Sequence, residues 1–384
     1  MKRYMENLFI KTPTASAYSL LVISAILVSF FCFVKINAEA AILRVPSEYN
    51  TIQEAIDAAS DRDEVLVADG IYKGDGNKNI DLLRKAITVR SENGPDNCII
   101  DCEQDGRGFF VHRGEGLDSV IKGFSIVNGS AIGEFPDNDG GGILCYSASP
   151  TITGCTFIDN YADAWGGAIW CYYSASFITD CTFTGNTAKL GGAGIGFYFS
   201  DATISNSIFI DGSTIWGGGI CTHTASPIIM NNIITANSAL FGGGICAWDD
   251  SSPIIINNTI VGNSSTLAGS GIGCGRSFLT VVNTILWNKK DEVHLDAASS
   301  ATITYSNVRG GYEGEGNIDA FPRFISLRKG DYHLRPTSPC IGAGTNVDAP
   351  PFDKDGNRRP NPPSSNCDIG AYESPFGQPR VGEW

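Results

Sequence analysis

From Gly140 to Thr280 the chain writes the same segment repeatedly, at a period of about 26 residues. Segments such as SPTITGCTFIDNYADAWGGAIWCYY and ASFITDCTFTGNTAKLGGAGIGFYF superpose Ile143, Ile169, Ile195, Ile220, Ile245 and Ile272, at steps of 26, 26, 25, 25 and 27 residues. A second register superposes Ile152, Ile178, Ile204, Ile229 and Ile255. Such a period marks a solenoid, in which each unit buries its apolar face only by stacking on its neighbours. Within a unit, apolar and polar residues alternate over short runs broken by Gly, Asn, Asp or Ser, and nothing between them has helical spacing. Strands joined this way without crossover helices make a parallel β-helix whose coils stack at ~4.8 Å. The predicted fold class is all-β, a single-stranded parallel β-helix over residues 65–316.

Val67, Val89 and Val111, spaced 22 apart, are expected to continue the Ile143 column toward the N-terminus. About six residues near Ile132 to Asp137 would then be inserted as a loop that leaves the coil. Asn128, Asn160, Asn186, Asn237, Asn263 and Asn288 form a further column that Gly212 interrupts. Stacked at a turn, each amide can bond the next coil's backbone and the next Asn, at ~1 kcal/mol net per bond. The Gly pairs before Ile169, Ile220 and Ile245 mark a second turn that needs positive φ or close backbone approach. An open coil is an exposed sheet edge, and residues 41–64 supply a cover. Asn50-Thr51-Ile52-Gln53 reads as a capping box opening an amphipathic helix through Ala59, with Ile52, Ala55, Ile56 and Ala59 on one face. The repeat fades after Ile303, and a Pro- and Gly-rich C-terminal segment occupies residues 317–384.

Residues 1–40 read as a secretory signal peptide. Lys2, Arg3 and Lys11 precede the uncharged stretch Ala17 to Val34, and Ala38-Glu39-Ala40 offers a small-x-small cleavage site. The alternative is an uncleaved N-terminal anchor, which would be the chain's sole membrane contact. Phe30 and Phe31 stand where lipidation at Cys32 would need small residues. The expected address is therefore extracellular or cell-surface, for a monomer. A formal net charge of −14 excludes a nucleic-acid or polyanion binder and favours solubility or cation binding. Six of the 12 cysteines follow the repeat in pairs: Cys155 with Cys181, Cys145 with Cys171, Cys221 with Cys246. Such columns behave as small apolar core. Outside them, disulfides are expected between Cys98 and Cys102 and between Cys340 and Cys367.

From Val45 to Tyr72 and through the coils, the chain resembles secreted right-handed β-helix proteins of the pectin lyase-like superfamily. The elements CTFIDN…GGAI and CTFTGN…GAGI resemble the GGAI/FxxN repeats of polymorphic outer-membrane proteins. The tail, GDYHLRPTSPCIGAGTN…DKDGNRRP…CDIGAYE, looks like the choice-of-anchor-like module of bacterial surface proteins. The resemblance implies a right-handed winding and export. It implies no single chemistry, because this fold carries lyases, hydrolases and adhesins.

Polysaccharide lyases of this fold use a Lys or Arg to take a proton beside a uronate. The coils from Gly140 to Thr280 hold Lys189 and Arg276 alone, in different positions of the repeat and without an acidic cluster beside either. Hydrolases need paired carboxylates. Asp249-Asp250 is the acidic pair of the repeats and His223 lies one coil earlier, so these three are the catalytic candidates, although the signatures of polygalacturonases are missing; a polar turn is the plainer reading. Three residues past each inward Ile stand Tyr146, Tyr172, Tyr198, His223 and Trp248, outward by strand alternation. Trp165, Trp216 and Phe241 form a second aromatic column. These rings either stabilise the stack or bind successive sugars, and an acidic rim would favour neutral or cationic glycans over polyuronates. In the tail, Asp353 and Asp355 offer a weak calcium loop without EF-hand spacing; no other cofactor is implied. Asp368 and Glu373 are expected to be structural, and His333 to pack within the tail. The leading expectation is a non-catalytic protein that binds carbohydrate or a surface partner along its aromatic face. Its rivals are a carbohydrate-active enzyme, lyase or glycoside hydrolase, and a structural envelope or adhesion component.

Overall fold

The computed structural model describes residues 39–379, so the leader expectation falls outside the described residues. Among these, the strands form four parallel sheets and one antiparallel pair. The first sheet has 11 strands, from Ile42–Val45 to Ser300–Thr304. The second has 10, from Gly70–Tyr72 to Asn307–Val308. The third has 8, from Phe109–Val111 to Val293–Leu295, and the fourth 6, from Ser130–Ala131 to Ser264–Ala268. From Ser130 to Ala268 each coil contributes one strand to each sheet in turn, and the coils outside that range skip some of them, which is a parallel β-helix.

Register follows the repeat. Ile143, Ile169, Ile195, Ile220, Ile245 and Ile272 pair in sequence across the third sheet. Ile152, Ile178, Ile204, Ile229 and Ile255 do so across the first. All eleven are fully buried. In the second sheet Phe157, Phe183 and Phe209 stack with centroids 4.9 and 4.5 Å apart. Burying each such side chain contributes roughly 1.5–3 kcal/mol.

The asparagine column is present one residue out of its expected phase at the N-terminal end. The Asn160 N–H and Nδ2 both donate to Asn186 Oδ1 at 3.0 Å. Asn237, Asn263 and Asn288 repeat the pattern. The residue that donates to Asn160 Oδ1 is Gly129, at 2.8 Å. Asn128 instead sits in the left-handed region at φ 56° and bonds Asp101. The ladder closes on a carboxylate: Glu292 accepts the Asn288 N–H at 2.6 Å and its Nδ2 at 2.7 Å. A second ladder runs through Ser207, Asn232, Asn258, Thr284 and Ser306.

The valine expectation is corrected. Val89 pairs with Val65 and Ile121 in the first sheet, whereas Val111 belongs to the third and pairs with Cys145. The early coils lack a strand in the fourth sheet and carry unequal loops, so a 22-residue spacing does not return to one phase there. The inserted loop does leave the coil after Ser130–Ala131, and Phe135 on it is exposed.

At the N-terminus, helix α1 (Ile52–Ala58) buries Ile52, Ala55 and Ile56, with Ala59 buried at its C-cap. Thr51 accepts the Glu54 N–H, and Glu54 reaches back to the Asn50 N–H at 2.9 Å. The side chain completing the cap is therefore Glu54, not Gln53.

The tail packs along the turn between the first and second sheets, so that the described residues from 41 onward form one compact body. Left-handed asparagines of successive coils hold it. Asn231 Nδ2 donates to Phe352 O at 2.8 Å, Asn257 Nδ2 to Asp368 O at 3.2 Å and Asn283 Nδ2 to Thr345 O at 2.8 Å. Val261 and Ile285 of the coils share an apolar cluster with Phe324, Leu334, Cys340, Ile341 and Ile369. Arg359 and Glu373 form a fully buried ion pair at 3.1 Å.

Neither expected disulfide forms here: Cys98, Cys102, Cys340 and Cys367 are all buried free thiols. Cys340 and Cys367 instead accept from Asn307 Nδ2 and Asn283 Nδ2, at 3.1 and 3.3 Å. Burial pushes each of the four thiols up to about 12. Cys221 and Cys246 also differ from expectation, since they lie in the outward column of Leu144 and Trp170 rather than the core column of Cys145 and Cys171.

Candidate functional site

The third sheet presents its outward residues as a row. Tyr146, Tyr172, Tyr198, His223 and Trp248 pair in register. Tyr146 and Tyr172 stack at 5.0 Å and 4°, Tyr172 and Tyr198 at 5.3 Å and 14°. His223 meets Tyr198 at 4.8 Å but tilted by 62°. The other expected column runs alongside, with Trp165 6.2 Å from His223 and Trp216 6.3 Å from Trp248. Trp165, Gly191, Trp216 and Phe241 pair successively at the turn leading into this sheet. Trp165 and Trp216 lie 5.7 Å apart across Gly191, where any Cβ would enter the Trp165 ring.

The two rows converge on a cleft of about 300 Å³ lined by Phe135, Asp139, Trp165, Trp170, Tyr172, Tyr198 and His223. Trp170, the outward residue between the rows, stacks near Trp165 at 5.6 Å. One coil on, Gly196 leaves room for its ring, since a Cβ there would meet the Trp170 ring at 2.5 Å. Phe135 of the inserted loop reaches Tyr146 at 5.9 Å and Tyr172 at 5.3 Å, closing one end. Trp170 buries its indole N–H without an acceptor.

His223 Nε2 lies 2.9 Å from Asp249 Oδ2, and Asp249 also takes the Arg276 guanidinium. Asp250 is exposed and stays out of this contact; its N–H donates to Arg276 O at 2.7 Å. Of the three catalytic candidates, the structure joins two. The residue the sequence reading missed is Asp139. It is 2% exposed at the end of the inserted loop, and its Oδ1 accepts the Trp165 N–H at 2.9 Å. Burial pushes its carboxyl up to about 6, against the pull of the Trp165 N–H and of Arg107. A signal was present: aligning Gly140 with Gly166 places Asp139 in the Trp165 and Trp216 column.

Lys189 and Arg276 are not poised as bases. Lys189 pairs with Asp163 at 2.6 Å and Arg276 with Asp249, and neither lines the cleft. In the tail, Asp353 spends its carboxylate on the N–H groups of Asp355, Asn357 and Glu373 and on Asn357 Nδ2. Asp355 accepts from His333 Nε2 at 2.8 Å. The pair builds a turn rather than a calcium loop, and no group of three or more His, Cys, Asp or Glu among the described residues could hold a metal. His333 stacks on Tyr372 at 3.9 Å, within the tail. Asp368 accepts the Gly342 and Ser374 N–H groups, and Glu373 those of Asn361 and Asp368.

This winding is the one described by the family of right-handed β-helix regions, whose model matches residues 70–260 and, in an overlapping match, 167–316. The chain belongs to that family. Among solved structures it is similar to the pectate lyase Pel9A, at 13% identity and TM-score 0.49, over 88% of this chain and 97% of that one. It is similar also to a pectin methylesterase from carrot, at 11% identity and TM-score 0.42, over 68% and 85%. A third is the family 6 alginate lyase AlyGC, at 12% identity and TM-score 0.28, over 77% and 55%. These likenesses transfer no chemistry to this chain. A search of curated proteins found no match.

Proposed function

We propose that the chain is an exported protein whose cleft binds a neutral glycan. The observation that carries this reading is the meeting of rings from both rows, Trp165 from one and Tyr172 and Tyr198 from the other, around one cavity of about 300 Å³. Half-exposed faces with a few polar groups between them suit a sugar, which has an apolar face and a polar rim. The charge of the lining selects among sugars. Asp139 is the carboxyl in the wall, Asp249 supports the His223 ring from behind, and no Lys or Arg lines the cleft. A polyuronate would meet no compensating cation there, and lyase chemistry would lack its base. Export rests on the leader-like residues 1–40.

The test is to titrate the purified full chain with cellohexaose, laminarihexaose, xylohexaose, mannohexaose and hexagalacturonate, read by tryptophan fluorescence and calorimetry. One of the neutral hexasaccharides is expected to bind, and Y172A to weaken it by about tenfold, the loss of one stacking contact. Binding of hexagalacturonate alone, or of none of the five, would overturn the reading.

A further inference from the structure

We propose, resting on the glycan-binding reading, that the cleft also hydrolyses its ligand, with Asp139 as proton donor and His223, held by Asp249, as base. Nothing in the repeat requires an acid at position 139, because the later coils fill that column with Trp165, Trp216 and Phe241. Here the carboxyl lines the cavity while 2% exposed. Its Oδ1 is engaged by the Trp165 N–H, and its Oδ2 has no donor among the described residues. The second carboxyl oxygen is thus left free on the wall of a ligand-sized cavity. Anchoring the loop needs only the Oδ1 contact, which an asparagine would also make.

Burial holds this carboxyl protonated up to about pH 6, as a general acid requires. Across the same cleft, the His223 Nε2 contact with Asp249 leaves Nδ1 as the ring nitrogen without a bonded partner among the described residues. Arg276 also bonds Asp249, so the carboxylate that holds the ring is itself fixed in place. The step balances without a cofactor. Asp139 gives its proton to the glycosidic oxygen as the C1–O bond breaks. Water, losing a proton to His223 Nδ1, forms the new C1–O bond. Solvent then carries the proton from His223 back to Asp139.

The experiment incubates the full chain, D139N and H223N with the hexasaccharide that binds best of the four neutral probes, and follows shorter products by chromatography while calorimetry reports binding. The wild-type chain is expected to release products. D139N and H223N should each slow release by about 100-fold or more, the usual worth of a general acid or base, while still binding the intact probe. A wild-type chain that binds the probe and leaves it whole overturns hydrolysis and spares the binding reading. Release by D139N at the wild-type rate overturns the role of Asp139, and binding of no probe by any chain removes both readings.

Discussion

Phe135 and Tyr172 belong to different parts of the molecule, an inserted loop and a repeat strand, yet their rings meet with centroids 5.3 Å apart at 56°. That contact turns an aromatic ladder into a cleft with a closed end. Phe135 is 51% exposed, so its removal leaves the coil core untouched. F135A is expected to weaken binding of the neutral hexasaccharide by about three- to tenfold, the worth of one ring contact, with the unfolding midpoint unchanged. Calorimetry with a thermal melt checks both halves, and an unaltered affinity would remove Phe135 from the site.

The asparagine ladder makes a stability prediction. Asn237 is buried, accepts the Gly212 N–H, and donates to Phe209 O and Asn263 Oδ1. N237A strands those groups in the interior and should cost about 2–4 kcal/mol in urea unfolding. Completing the ladder with G212N should destabilise as well. A Cβ at Gly212 would run into the Gly218 carbonyl, so the gap in the column is a steric requirement.

Asp139 links stability to pH. In the unfolded chain its carboxyl loses its proton near pH 4, and in the folded chain burial, against the pull of the Trp165 N–H and of Arg107, delays this to about 6. Between those values the folded state holds a proton that the unfolded state has released. Stability therefore falls as pH rises through that window, by about 2–3 kcal/mol. D139N lacks this loss. The stability of the wild type relative to D139N, measured by urea unfolding, should be greater at pH 3.5 than at pH 7.5 by that amount. An equal difference at both pH values would contradict the buried, raised carboxyl.

The thiols give a chemical check. Cys98, Cys102, Cys340 and Cys367 are expected to react with a maleimide after denaturation without reductant, and to resist it in the folded chain, where burial keeps them protonated. A peptide map showing 98 bridged to 102, or 340 to 367, would refute the free-thiol state.

Much of this architecture is legible in the residues, and the reason is mechanical. Stacking forces Ile169 over Ile143 and Tyr198 over Tyr172, so a periodic sequence states its own contacts. Legibility ends where periodicity does. Val67, Val89 and Val111 have a constant spacing by coincidence, because the first coils differ in loop length. The tail's contacts with Asn231, Asn257 and Asn283 join residues more than 60 apart and follow no repeat. Asp139 escaped notice because it sits beside an insertion, where alignment of coils is least secure. The convergence of the two aromatic columns depended on the angle between a turn and a sheet, which spacing does not encode.

The most direct measurement is a crystal structure of the chain soaked with the tightest-binding neutral hexasaccharide. A sugar ring lying between Trp165 and Tyr172, with a glycosidic oxygen facing Asp139, is the predicted result. Sugar bound elsewhere on the solenoid, with this cleft still empty at saturating ligand, would contradict the account.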